Sequence, residues 1–385
     1  MTYTVHTSPK PRRHDLDWLR VGAFAVLIAY HIGMFYVSWD WHTKSRFHSD
    51  AIEPVMRLVN PWRLPLLFLI SGMALRYALD RVPVAQLCGL RLKRLGLPLM
   101  FGFFVLCAPQ SYFELLQKGE IGADYWAFYM DYLDVDFEFS ILTPAWNHLW
   151  YLIYLLVYTL IICAAAGPAD RLAAYLDGSD NVWLGLGLLA IAPITFLVAS
   201  IVLADRFPVT HDLVNDWFTH AISLTAMLFG YLVARAPSFW RCVRQTGLWA
   251  AVCAATLGAV LVLDLSPVAD GGTVRLIYAW CVIVAMLAAA DRYLNCKTRL
   301  LTYLNKAILP YYVLHQTLIV SLGALATANH LPLVLEASVV TFGTVTGCLI
   351  GYELIRRVAW LRPLFGLPLR SPGSPANPIP SLSHR

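Results

Sequence analysis

Ten stretches of about twenty mostly apolar residues run along nearly the whole 385-residue chain, and a stretch of that length is what a helix needs to cross a bilayer core. They fall at roughly 16–38, 61–80, 95–112, 146–167, 182–203, 217–235, 247–264, 273–290, 301–325 and 333–357. The composition agrees, with 58% hydrophobic and 14% charged residues, where soluble domains run near half and a quarter. Disordered, collagen-like and disulfide-stapled secreted chains are excluded. Lipid offers the backbone no hydrogen-bond partners, so the spans must be helical. The expected fold is an all-α, polytopic integral membrane bundle of about ten transmembrane helices. Asp15, Asp17 and Arg20 interrupt the start of the first apolar run, and no small-residue cleavage site follows it. That span is expected to stay as an anchor.

Lysine and arginine placement sets the sidedness. With the N-terminus inside, basic residues favour the inside loops and tails over the outside loops by nearly three to one, and acidic residues do the reverse. Both termini are expected in the cytoplasm. The net charge of +5 reflects this orientation, and no basic run of nucleic-acid type is present. The eight cysteines fall in spans or inside loops, with no metal-ligand spacing, so neither a structural disulfide nor a metal is expected. Residues 1–15 read as a cytoplasmic N-terminal segment and 16–360 as one transmembrane domain. Residues 361–385, rich in Pro, Ser and Gly, read as a disordered cytoplasmic tail.

Ionisable side chains inside a span are costly and normally face a cavity or a partner. Arg20 and His31 are eleven residues apart in the first span, close to three helical turns, so they share a face with His31 about 16 Å deeper. Asp17, three residues before Arg20, joins that face. His315 lies at a similar depth in the ninth span, where Pro310 is expected to break or kink the helix, and Lys306 falls on the opposite face. At the outer mouth, Trp39, Asp40, Trp41 and His42 end the first span, and His148 and Trp150 begin the fourth. Taken alone these aromatics fit an interfacial belt, although Trp, carboxylate and imidazole also suit a sugar-binding lip. On the inner side, positive-inside retention accounts for Arg76, Arg91 and Arg94, and guanidinium groups would equally hold a phosphate. Ser71 and Gly72 end the second apolar run and permit close helix approach.

Several of these residues together resemble the acyltransferase 3 family of membrane O-acyltransferases. The resemblance rests on Asp17-Trp18-Leu19-Arg20 followed by His31, Phe68 to Gly72, Arg91 to Pro98, His148 to Leu152, and Tyr312-Val313-Leu314-His315, in that order. It covers about residues 14–360. Trp41-His42-Thr43 and Asn147-His148-Leu149-Trp150 are most similar to its glucan succinyltransferase branch. Ala307-Ile308-Leu309 departs from the small hydroxyl residue and aromatic that usually precede the ninth-span motif.

The resemblance implies a multi-pass enzyme of the bacterial inner membrane. Such an enzyme moves a short acyl group, acetyl or succinyl, from cytoplasmic acyl-CoA to a hydroxyl of a periplasmic or cell-surface glycan. It implies no bound cofactor, with acyl-CoA as donor substrate. His31, Arg20, Asp17 and His315 are the expected catalytic group. Arg91, Arg94, Arg76 and Ser71 would hold the donor, while His42, Asp40, Trp41, His148, Trp150 and Tyr312 would hold the acceptor. His31 would act as general base or as transient acyl carrier. The competing class is a transporter or flippase for a glycan or small anion, though no paired internal repeat is visible. A scaffold with polar residues gluing helices together is the blandest alternative.

Overall fold

The computed structural model describes residues 12–134, 136–263 and 272–369. Most of the expected N-terminal segment and residues 370–385 of the expected tail lie outside them. The described chain is a helical bundle without strands. Among the described residues nine helices are long and apolar enough to cross a membrane: His14–Tyr36, Asp50–Leu79, Val84–Lys118, Asn147–Ala164, Val182–Leu203, Pro237–Val262, Gly272–Tyr293, Arg299–Ala328 and Leu333–Ile355. The shorter apolar helix Trp217–Val233 sits where the sixth of the ten spans was expected, so ordinal names below follow the expected order.

The second span is the hub, packing on the first, fourth, sixth, seventh and eighth. Its crossing with the sixth span is close because both contribute glycine. A Cβ on Gly72 would run into the Met227 carbonyl, and one on Gly230 into the Leu69 carbonyl. Gly72 therefore lets the backbones touch, leaving the neighbouring Ser71 free to face the interior. The first span packs on the second, eighth and ninth, and the ninth packs on the tenth and on the far end of the third. The first, second, third, fourth and ninth spans thus surround a polar interior.

Two expectations change. Pro310 does not break the ninth span, which runs as one helix of 30 residues with Pro310 inside it. Proline removes a single backbone donor there, and the helix continues on both sides of it. Residues 361–369 do not belong to a free tail. Phe365 meets Phe101 edge-on with ring centroids 5.4 Å apart, and Arg362 donates to the carbonyls of Arg356 and Pro368 at 2.7 and 2.8 Å. The short apolar set Leu361, Leu364 and Phe365, set among Pro and Gly, supplies the packing face.

The third span is longer than its apolar window, continuing to Lys118, and contains π-helical turns at Leu92–Gly96 and Gly102–Leu106. In the second of these the Cys107 N–H reaches back five residues to the Gly102 carbonyl at 2.8 Å.

Candidate active site

One end of the bundle holds a basic cavity of about 130 Å³. Arg20, Arg91 and Arg94 line it with Ser71, Tyr151 and Tyr312, and among the described residues no acidic side chain is part of its wall. Arg20 Nη2 donates to Asp17 Oδ1 at 3.1 Å and to Asn305 Oδ1 at 2.6 Å, so the carboxylate orients the guanidinium from outside the cavity. Ser71 Oγ lies 3.2 Å from the Tyr151 hydroxyl. Arg76 does not join this group. Its guanidinium binds Asp170 at 2.8 Å and Asp177 at 3.3 Å, tying the amphipathic helix Ala166–Asp177 to the second span. The sequence shows Arg76 near the cluster but gives no sign of these two acids, which lie about a hundred residues later.

Deeper in, beyond an edge-to-face set of Phe24, Tyr151 and Tyr312, three imidazoles meet. His315 is fully buried and its Nδ1 lies 2.6 Å from the Tyr312 carbonyl. A carbonyl only accepts, so that nitrogen carries the proton and His315 Nε2 presents a lone pair. His31 Nδ1 lies 2.7 Å from His315 Nε2 and must be the donor. The network therefore assigns His31 the tautomer with an unprotonated Nε2. The two rings stack with centroids 5.0 Å apart and planes 5° from parallel.

His148 packs edge-on against His315 at 5.1 Å. Its Nε2 donates to the Val313 carbonyl at 3.3 Å, and its Nδ1 faces the Gln110 amide nitrogen at 3.5 Å. Gln110 is fully buried, accepting from Asn147 and Gln316 at 3.1 Å each and donating to Thr317 at 2.8 Å. His148 is thus a member of the interior cluster and not of an outer lip, because its 3₁₀ turn, Asn147–Leu149, folds it inward. Tyr312 joins both regions: its side chain lines the basic cavity, its hydroxyl donates to the His148 carbonyl, and its own carbonyl fixes His315.

At the far end, Trp41 stacks near His31 at 6.4 Å and touches His42 at 5.5 Å. His42 Nδ1 lies 2.6 Å from Glu114 Oε2, and Lys118 binds the other carboxylate oxygen at 2.9 Å. Lys44 fastens this loop by donating to the Met34 and Val37 carbonyls at 2.7 and 2.8 Å, which satisfies the open end of the first span. Burial lowers the Lys44 amine to about 8, with Asp40 opposing the shift. Asp40 itself is exposed. Trp150 is buried and stacks on His211 at 4.2 Å and 17°. Burial there moves the His211 imidazole down, against the pull of Asp216. Trp150 therefore has an aromatic partner inside the protein and offers no open face to a sugar.

Glu114, Gln110 and Asn305 were not among the expected site residues. The window at 95–112 ends before Glu114, which places it with the acids of an outside loop. The usable signal was the polar stripe Gln110, Glu114, Gln117 at helical spacing.

These features define a class, a helical membrane protein with a cationic cavity leading to an ordered imidazole pair. A family model described as an acyltransferase domain matches residues 13–353. The chain belongs to the acyltransferase 3 family and is a multi-pass membrane acyltransferase. It is similar to the glucans biosynthesis protein C of Salmonella paratyphi B, at 23% identity over 377 residues covering 93% of this chain and 95% of that one. The Escherichia coli protein of the same name is 23% identical over 350 residues, covering 83% and 86%. No solved structure matches the chain.

Proposed function

We propose that this acyltransferase moves a short acyl group, acetyl or succinyl, from acyl-CoA on the cytoplasmic side to a hydroxyl of a glycan outside the bacterial inner membrane. The named relatives make a glucan the first acceptor to try. The observation that carries the reading is the dual place of Tyr312, in the wall of a three-arginine cavity and in the hydrogen-bond chain that leaves His31 Nε2 unprotonated. Guanidinium groups bind phosphate in bidentate fashion, so Arg20, Arg91 and Arg94 would hold the CoA phosphates. The thioester would then extend past Phe24 and Tyr151 toward His31. His31 Nε2 is the atom that meets the acyl carbon, and His315 holds its tautomer as the orienting residue of a triad holds its imidazole.

Membrane vesicles exposing the basic face and carrying the purified chain test this. With labelled acetyl-CoA or succinyl-CoA, CoA release and acyl transfer to a soluble glucan oligosaccharide are expected, and both should vanish in His31→Ala. A folded protein that releases no CoA from either donor would overturn the reading in favour of a transporter.

A further inference from the structure

The hydroxyl that receives the acyl group must lose a proton, and the His31–His315 pair is poorly placed to store it. The pair ends in a carbonyl, and no carboxylate bonds to either ring among the described residues. Once His31 carries the acyl group on Nε2 and its proton on Nδ1, the ring has no lone pair left to take the hydroxyl's proton. His42 differs. It is the one imidazole bonded to a carboxylate among the described residues. Glu114 Oε2 accepts from His42 Nδ1 at 2.6 Å, which leaves Nε2 as the basic nitrogen. Lys118 Nζ holds Oε1 of the same carboxylate, so its orientation is fixed from the side opposite His42. The loop is fixed too: the Lys44 backbone N–H donates to Gln117 Oε1 at 2.8 Å, and Gln117 Nε2 returns a bond to the Lys44 carbonyl at 2.8 Å. His42 keeps 19% of its side chain exposed at the far end, where an acceptor would arrive. The Trp41 ring bridges from it to His31.

We infer that His42 is the general base for the acceptor hydroxyl and that Glu114 is its positioning residue, dividing the chemistry between two imidazoles. The inference rests on the acyl-transfer reading above. In the first step, His31 Nε2 forms a bond to the thioester carbon, the C–S bond breaks, and CoA leaves as the thiolate, which takes a proton from water. In the second step, the glycan oxygen bonds to that carbon while its proton passes to His42 Nε2. The C–N bond to His31 breaks with its electron pair returning to nitrogen, and His42 then gives its proton to water. Glu114 offsets the charge that His42 carries in between.

Hydroxylamine separates the two steps, because it attacks acyl groups at neutral pH without a base. The full chain in vesicles open to both faces would receive succinyl-CoA or acetyl-CoA with either a glucan oligosaccharide or hydroxylamine. A positioned base contributes about 10²–10⁴-fold, so His42→Ala should lower glucan acylation by roughly that factor and Glu114→Gln by about 10-fold or more. Hydroxamate formation should fall less than about threefold in both, which also shows that the variants fold. His31→Ala should lose glucan acylation and lower hydroxamate to the rate at which hydroxylamine and acyl-CoA react without protein. Glucan acylation unchanged in Glu114→Gln and His42→Ala would overturn the inference, as would hydroxamate formation falling in parallel with it. Absence of every product from the wild-type protein would instead sink the acyl-transfer reading itself.

Discussion

Removing the His315 side chain is the sharpest perturbation of the proposed donor step. In the native arrangement the Tyr312 carbonyl fixes the proton on His315 Nδ1, and His315 Nε2 then draws the His31 proton to Nδ1. In His315→Ala the His31 ring has no acceptor at Nδ1. It must leave that donor unpaired in a half-buried site or shift the proton to Nε2 and lose its nucleophilic lone pair. An unpaired buried donor costs about 1–3 kcal/mol. At 1.36 kcal/mol per factor of ten, the reactive tautomer loses roughly 5- to 150-fold in population and the rate with it. His315→Gln, whose amide oxygen can accept, should lose less. The assay is CoA release from succinyl-CoA or acetyl-CoA in vesicles holding equal amounts of each protein, with KM measured alongside kcat. The donor site is untouched, so the loss belongs in kcat. A wild-type kcat in His315→Ala, or a loss confined to KM, would refute the tautomer argument.

Other outcomes follow from the same geometry. Arg91→Ala or Arg94→Ala removes a charge-assisted contact of about 1.5–3 kcal/mol and should raise KM for acyl-CoA by roughly 10- to 150-fold, with a far smaller change in kcat. Arg76→Ala should leave that KM alone and lower the unfolding temperature in detergent, because its partners are Asp170 and Asp177. Gly72→Ala or Gly230→Ala forces a methyl into a backbone carbonyl and should destabilise the bundle by about 1–3 kcal/mol or more, read as a lower unfolding temperature. Lys44, lowered to about 8, is neutral in half of the molecules near that pH. Its labelling by an amine-reactive reagent, followed by mass spectrometry, should rise with a midpoint there, well before an ordinary lysine.

The helical spans were legible because lipid imposes one solution on long apolar runs, and the ten windows coincide with ten helices. The Arg20–His31 spacing was legible for the same reason, as three turns of a regular helix put two residues on one face. What escaped was non-local or irregular. No pattern within the second span announces that Arg76 pairs with a surface helix far along the chain. His148 read as an outer residue because its 3₁₀ turn carries it inward, against the direction that a simple boundary count assigns. Glu114 escaped because hydropathy ends where the helix does not: an amphipathic last turn looks like loop to an apolar window. Residues 361–369 were too short an apolar set to stand out among their prolines.

The π-helical turns of the third span have a consequence for how its two ends are set against each other. Arg91 and Glu114 lie 23 positions apart in the sequence, which in an unbroken α-helix would turn them about 140° from one another. Each π turn holds about one extra residue, and discounting both brings the two to about 60°. The span works like a vernier, with its donor end and its acceptor end brought into phase by two inserted positions. Deleting one residue from either turn would heal the helix and leave its two ends in phase, whereas deleting one from the α-helical stretch Leu97–Phe101 between them would rotate one end by about 100° relative to the other. The two half-sites of such a chain can therefore be re-timed by insertion or deletion alone, without a single substitution in the groups that do the chemistry.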